Sequence, residues 1–365
     1  MEAFATRGSA PPASRVTPLE WLRANLFSSP ANTLLTLASA YVLYLAMPPL
    51  VSWSLIHADW AGTTREDCTG GGACWVFVRA RFDQFMYGFY PHEERWRVDL
   101  AFGLLALLAA LVLVRRFPFR KWSAVVLIVA YPPTAYLLFV GGALGLPHVE
   151  TARWGGLSLT LVIAGVGMAA SFPLGVLLAL GRRSALPAVR LASVVFIEFW
   201  RGVPLITVLF MASVMLPLFL PEGVTLDKLL RALIGVALFQ SAYMAEVVRG
   251  GLQAVPKGQV EAAAALGLGY WKTMGLVVLP QALRHVIPGI VNTFIALFKD
   301  TTLVLIIGLF DLLGIVQAAI TDPKWLGMSV EGYMFAGLGF WIFCFAMSRY
   351  SQYIERRLAV DRPRR

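Results

Sequence analysis

The fold class this sequence predicts is an all-α polytopic membrane protein with about eight transmembrane helices, and three observations predict it. Of the 365 residues, 58% are hydrophobic and only 14% charged, and the mean hydropathy is +0.70, so little is available to cover a water-facing surface. Several apolar runs reach the roughly 18 to 20 residues needed to cross a bilayer. The runs are long, tolerate Gly and lack the two-residue alternation of an outer-membrane barrel. A backbone in lipid must satisfy its own hydrogen bonds, which leaves helices as the spanning form.

The spans are placed at 32–56, 98–114, 122–144, 155–180, 188–220, 229–249, 276–308 and 333–349. Residues 1–30 are polar and Pro-containing, and the run from Ala31 continues too far for a signal h-region, so it is expected to be a retained span. The net charge of +10 points to topology rather than to nucleic acid, because Lys and Arg gather at the ends of apolar runs and not on one soluble face. With a cytosolic N-terminus, four basic clusters fall on the inner side: Arg115, Arg116, Arg120 and Lys121; Arg182, Arg183 and Arg190; Arg249, Lys257 and Lys272; and Arg356, Arg357, Arg362, Arg364 and Arg365. This is the positive-inside pattern, with both termini cytosolic.

The external side receives the loop 57–97, where five Arg are balanced by six Asp and Glu. It carries Cys68 and Cys74 in "CTGGGAC", whose glycines let the chain turn tightly enough for a disulfide in an oxidising compartment. Two free thiols are the alternative. Two sulfurs without a neighbouring His fit zinc poorly, so no metal is expected. Cys344, in an apolar run, reads as a small hydrophobe.

The chain divides near residue 150. A cytosolic tail, 1–31, precedes three accessory spans within 32–144; a core at 145–350 holds five spans rich in Gly, Pro and charge; and a basic tail, 351–365, ends the chain. Charge inside a span costs about 2.5 to 3.5 kcal/mol near the bilayer centre, so each such residue needs a partner, a watery cavity or a function. Glu198 and Arg201 are three apart, as are Glu246 and Arg249, and both pairs fit structural ion pairs on one helix face. Gly202 and Pro204 weaken the helix just beyond the first pair, and Arg249 can snorkel to the surface. Lys299 and Asp300 are adjacent, hence about 100° apart on a helix, and cannot pair face to face. With Asn292, Thr301 and Thr302 they form a polar stripe suited to a zwitterionic solute, Asp300 meeting its ammonium, or else a helix-packing network of the same groups.

Between Gly251 and Gly275 lies a cytosolic segment with its own helix signal. Ala262 to Leu266 favour helix, Glu261 suits a helix start, and Gly267 permits a turn. A small neutral helix held along the membrane exposes an apolar patch that is useful when another protein covers it. The pattern Glu261-Ala262-Ala263, three residues, Gly267, nine residues, Val277, one residue, Leu279-Pro280 resembles the cytosolic loop signature of permease subunits of bacterial ABC importers, with Val where Ile is usual. The stretches "EFWRGVPLITVLF", "SAYMAEVVRGGLQAVPKGQVEAAAALGL" and "LPQALRHVIPGIVNTFIALFKDTTLVLIIG" resemble core segments of histidine/glutamate/glutamine-type permeases. The extra N-terminal spans and Cys-bearing loop look like the larger subunits of general L-amino-acid transporters.

This resemblance implies a five-helix permease core in the bacterial inner membrane, with residues 257–275 as the coupling helix that docks on an ATPase subunit. It implies a second permease subunit, a periplasmic amino-acid-binding protein, and alternating access for an L-amino acid. It also places the segment "LFKDTT" near the solute, carrying Asn292, Lys299, Asp300, Thr301 and Thr302 over as candidates. No phosphate-binding Gly-rich loop of the G-x-x-x-x-G-K-[ST] type occurs in the chain, so ATP and Mg belong to the partner ATPase and this chain is expected not to be an enzyme. An ion-coupled secondary transporter is the alternative; it leaves residues 261–280 without a purpose. A membrane-embedded enzyme is disfavoured, since neither H-E-x-x-H nor G-x-S-x-G is present.

Overall fold

The computed structural model describes residues 17–114, 117–221, 223 and 226–360. Arg115, Arg116, Arg362, Arg364 and Arg365 of the basic clusters, and residues 1–16 of the N-terminal tail, lie outside the described residues. Among the described residues seven helices are long and apolar enough to cross a membrane, and there are eight candidate spans if one bent pair counts as a single span. The chain forms two compact units, Met1–Gly62 with Glu66–Val76, and Thr63–Arg65 with Phe77–Arg365.

In the first unit, α1 (Pro18–Asn25) opens on a capping box between Thr17 and Glu20, and α2 (Pro30–Val51) is capped by Ser29. Pro48 and Pro49 lie inside α2, which widens into a π-turn at Ser52–Ile56. Beyond it, Cys68 and Cys74 are joined by a disulfide with Cα atoms 5.7 Å apart. The Asp59 carboxylate accepts the Thr69 N–H at 2.7 Å, and Trp75 Nε1 donates to the Ser54 carbonyl at 2.7 Å. These contacts, with the Trp60 and Trp75 rings 5.8 Å apart, give order to a segment rich in Gly, Thr and charge.

The larger unit begins near the start of α3 (Trp75–Tyr87), so much of the expected external loop is helical. Next come α4 (Arg95–Leu113), α5 (Arg120–Val125) and α6 (Tyr131–Val140), the last two joined through a π-turn at Val126–Ala130. Compactness does not follow the expected division near residue 150. Val98 and Ala101 of α4 and Leu138, Phe139 and Val140 of α6 share one apolar core with Trp154, Leu159 and Ile163. Of the three spans taken as accessories, α4 and the α5–α6 span thus belong to the same unit as the later helices.

The remaining helices are α7 (Gly156–Arg182), α8 (Pro187–Gly202), α9 (Leu205–Phe210), α10 (Lys228–Ala254), α11 (Lys257–Ala265), α12 (Tyr270–Lys272), α13 (Leu279–Asp300), α14 (Leu312–Ile320) and α15 (Ser329–Val360). The most enclosed of these is α10, because small residues let its neighbours approach. A Cβ on Gly175 of α7 would lie 2.6 Å from Met244 Cβ, and one on Gly251 would lie 2.5 Å from the Ala282 carbonyl of α13. Close backbone approach through small residues is how membrane helices gain dispersion energy that hydrophobicity cannot supply between them in lipid.

Three π-turns end two residues before a proline: Val126–Ala130 before Pro132, Met211–Met215 before Pro217, and Thr273–Val278 before Pro280. Proline lacks an N–H and its ring clashes with the carbonyl four residues back, and a widened turn relieves both. The start of the span expected at 276–308 is corrected by this geometry. The helical run starts at Tyr270 and continues to Ile307, with Pro280 inside it.

The span expected at 188–220 is also corrected: α8 and the helical run Leu205–Phe219 meet at a bend of 100°. The break falls at Val203 and Pro204, beside Gly202, where the sequence weakens the helix. Opposite the π-turn of this run, Arg231 Nη1 donates to the carbonyls of Ala212 and Ser213, groups that the widened turn leaves without their usual donors.

At the far end of α7, backbone bridges pair Gly155 with Phe310 and Gly156 with Asp311. Asp311 caps α14: its Oδ1 accepts the Gly314 N–H at 2.9 Å. The residue is fully buried, and Oδ2 has no hydrogen-bond partner among the described residues. Burial pushes its carboxyl up to about 6, against the pull of the N–H groups at the start of α14. Arg97 is likewise fully buried, its Nε 3.0 Å from Glu94 Oε2 and its Nη1 donating to the Pro147 carbonyl at 3.0 Å.

Candidate functional site

Three features of the larger unit carry polar chemistry: an ion-pair hub, the turn after α11, and one face of α13. The hub centres on Glu246. Its Oε1 lies 2.7 Å from Arg182 Nη1, its Oε2 lies 2.7 Å from Arg249 Nη2, and Arg201 approaches Oε2 at 4.0 Å. Arg182 also reaches Glu198 at 3.1 Å. The expected pair Glu246–Arg249 is therefore present, one turn apart on α10. The expected pair Glu198–Arg201 is not formed: Glu198 turns to Arg182, while Arg201 turns to Glu246 and lies over the Tyr243 ring.

The physical reason is the position of α8. Ser193 packs where a Cβ on Gly181 would be, and five residues later Glu198 meets Arg182, so two turns of α8 lie against one turn of α7. A cross-helix Arg with two acceptors outcompetes an i,i+3 pair worth only about 0.5 kcal/mol. Arg182 is the residue that sequence reasoning missed. It lies 16 and 64 residues from its partners, and no local spacing announces such a bond.

The turn after α11 is built by Gly267. Its φ is +74°, the left-handed region that L side chains avoid. The Gly267 N–H donates to the Ala264 carbonyl at 2.9 Å and the Leu268 N–H to the Ala263 carbonyl at 3.1 Å, the paired bonds of a Schellman cap. Space around Gly267 is open, so conformation and not crowding selects glycine. Ala263 is buried, whereas Glu261, Ala262, Leu266, Tyr270 and Trp271 are exposed. Gln281 Nε2 donates to Gln259 Oε1 at 3.1 Å and fastens α11 to α13. Leu279 is half-buried against the cluster of Val278 and Ala282, and Pro280 lies beside it inside the helical run.

On α13, the expected polar stripe separates into two parts. Asn292 and Lys299 are exposed, and with His285 they recur every seven residues, which keeps them within about 40° of one face. Asp300 is half-buried. Thr301 is buried with its hydroxyl donating to the Phe298 carbonyl, and the Thr302 hydroxyl donates to the Lys299 carbonyl. The structure does not bring the threonine hydroxyls together with Asn292 as one surface; both are spent on backbone at the helix end. Among the described residues no group of three His, Cys, Asp or Glu could hold a metal ion.

Seven apolar helical runs and a bent pair among the described residues, with a charged hub near one end of α10, make this a multi-pass membrane protein. Residues 171–360 match the family described as binding-protein-dependent transport system inner membrane component. The chain is 61% identical over 342 residues, 94% of its own length and 93% of the relative's, to the inner membrane amino-acid ABC transporter permease protein YhdY of Escherichia coli (strain K12). It is 40% identical over 425 residues, 96% of each, to the glutamate/glutamine/aspartate/asparagine transport system permease protein BztC of Rhodobacter capsulatus. The crystal structure of an amino acid ABC transporter with histidines is 28% identical, covering 55% of this chain and 92% of that one at a TM-score of 0.49. The chain belongs to the binding-protein-dependent transport system inner membrane component family, and it is a multi-pass inner-membrane protein.

Proposed function

We propose that this chain is the transmembrane permease subunit of an ATP-driven importer for L-amino acids. It forms the solute path with a second permease subunit, receives solute from a periplasmic binding protein, and takes its driving force from a separate ATPase that uses ATP and Mg. Both termini and residues 257–275 lie on the cytosolic side in this reading. The observation that carries it is α11 with its Schellman turn. A rigid helix fastened to α13 presents Leu266, Tyr270 and Trp271 to the surroundings, and such a group gains by being covered by protein. The full-length likeness to relatives named as amino-acid permeases supports the same reading. Motion delivered at α11 would pass to α13 through the Gln259–Gln281 bond and to α10 through the close contact of Gly251 with Ala282.

The exposed face of α13 supports a path shared with the second permease. A bare Lys299 and Asn292 at membrane depth cannot rest against acyl chains without a penalty of a few kcal/mol, and a water-filled seam between two subunits removes it. Asp300 borders this face, and we assign it the solute ammonium. Ion-coupled transport gives α11 no task.

The test is reconstitution of the chain with its candidate ATPase and second permease in proteoliposomes, with binding protein and radiolabelled amino acid. Uptake should require ATP, and Gly267→Glu should abolish it while the subunits still co-purify. Asp300→Ala should block uptake with assembly intact. Uptake by this chain alone, driven by an ion gradient, would overturn the proposal.

A further inference from the structure

The 100° break between α8 and Leu205 raises the question of where α8 lies in the bilayer. A helix crossing beside α7 would climb about 1.5 Å per residue and carry Glu198 roughly 17 Å beyond Pro187, out of reach of the last residue of α7. Instead Ser193 sits at Gly181 and Glu198 at Arg182. The two ends of this stretch of α8 touch the same turn of α7, so α8 runs across the end of α7 and not along it.

The faces of α8 match that placement. Ser193 and Ile197 are buried against the bundle. Leu191, Val195 and Phe199, spaced by four, form a stripe exposed by 65%, 57% and 59%. Arg190, Glu198 and Arg201 fall on a third side, about 100° from that stripe in the direction of the charged hub. An apolar edge, a basic edge and a length of 16 residues describe a helix lying in the plane of a membrane interface. Arg183 and Arg190 are both accessible, and Arg190 has no ion-pair partner among the described residues. The hub supplies further cation, since among the described residues Arg182, Arg201 and Arg249 face two carboxylates, Glu198 and Glu246.

We propose that α8 is an interfacial helix, embedded by Leu191, Val195 and Phe199 in one leaflet and held there by anionic phospholipid headgroups on Arg183 and Arg190, so that membrane crossing starts at Leu205. That this leaflet is the cytosolic one rests on the proposed function; the placement of α8 in an interface does not. Charge complementarity selects the occupant, because a helix embedded by Leu191, Val195 and Phe199 holds the accessible Arg183 and Arg190 at headgroup level, where cations favour anionic lipid.

The experiment uses the full chain carrying Cys344→Ser, with single spin labels at positions 191, 195 and 199, in nanodiscs of phosphatidylcholine with or without phosphatidylglycerol. Immersion depth is read from the balance of oxygen and nickel-chelate collisions. The three labels should lie at one depth, within about 2 Å. Steps of about 6 Å between successive labels, as a crossing helix requires, would overturn the proposal. So would labels immobilised and closed to oxygen, which would put a protein partner on this face. For the headgroups, native mass spectrometry should find phosphatidylglycerol retained by the parent chain and lost about tenfold or more in Arg183→Gln/Arg190→Gln; equal retention would refute the lipid contact. These readouts need no ATPase, so they can fail while uptake succeeds, and the reverse.

Discussion

Asp311 gives the sharpest stability prediction. The side chain is fully buried, one oxygen caps α14, and the other has no partner among the described residues, with the carboxyl raised to about 6 from an ordinary 3.8. A group whose folded value is raised binds its proton more tightly in the folded state. Between pH 4 and 6 the unfolded chain has lost that proton while the folded chain retains it, so stability falls as pH rises through this window and levels off above it. A rise of this size corresponds to about 3 kcal/mol, at roughly 1.36 kcal/mol for each tenfold gain in proton affinity. Asp311→Asn keeps the oxygen that caps α14 but cannot ionise, so this share of the pH dependence should vanish. The assay is the midpoint of thermal aggregation of the detergent-purified chain, read by size exclusion at half-unit steps from pH 4.5 to 7.5. The difference between parent and variant should shift in favour of the uncharged variant as pH rises to 6 and stay constant beyond. A difference that is flat across the window, or that moves the other way, would refute the reasoning about burial.

Three further outcomes follow from packing and charge. Gly251→Val should reduce the yield of monodisperse protein, because even a Cβ would meet the Ala282 carbonyl at 2.5 Å, at a cost of about 1 to 3 kcal/mol, whereas Gly250→Ala meets nothing within 4 Å and should behave as the parent. Glu246→Ala leaves three arginines without their shared acceptor and should cost about 3 kcal/mol, seen as a lowered melting midpoint; restoring the midpoint with the further change Arg182→Met would tie the loss to unpaired charge. Cys68→Ser with Cys74→Ser should loosen the disulfide-bearing segment by about 2 kcal/mol, detected as faster proteolysis between residues 57 and 76, with the melting of the larger unit unchanged.

Most spans were legible because hydropathy is a local property. The stretch from Gly156 to Arg182 reads as a membrane helix whatever surrounds it, and so does Lys228–Ala254. The helix around Ala262 and its end at Gly267 were legible for the same reason, since helix propensity and a left-handed cap are fixed within four or five residues. The weakness at Gly202 and Pro204 was visible too, though the 100° change of direction was not. Asp311, three residues before Gly314, carried a recognisable capping signal that a search for spans passes over.

Spacing misled where a distant partner was better placed. Glu198 and Arg201 satisfy the three-residue rule, but that rule compares only residues of one helix, and Arg182 stands closer to Glu198 than Arg201 does. The threonines after Asp300 look like solute ligands in sequence and bond the backbone of their own turn in the structure. The span expected from 276 in fact runs from Tyr270, because a π-turn before Pro280 carries the helix through the proline.

By itself, then, the sequence determined what most segments are: which runs are long and apolar enough to cross a membrane, and where a short helix must end. The tertiary structure alone decided how segments meet, namely the crossing of α8 over the end of α7, the three arginines converging on Glu246, and the burial of Asp311 beneath Gly156. The physical reason is range. Hydrogen bonding within a helix and transfer into lipid are settled among near neighbours in the chain, whereas an ion pair or a buried carboxyl depends on distances between helices 16, 64 or more than 150 residues apart.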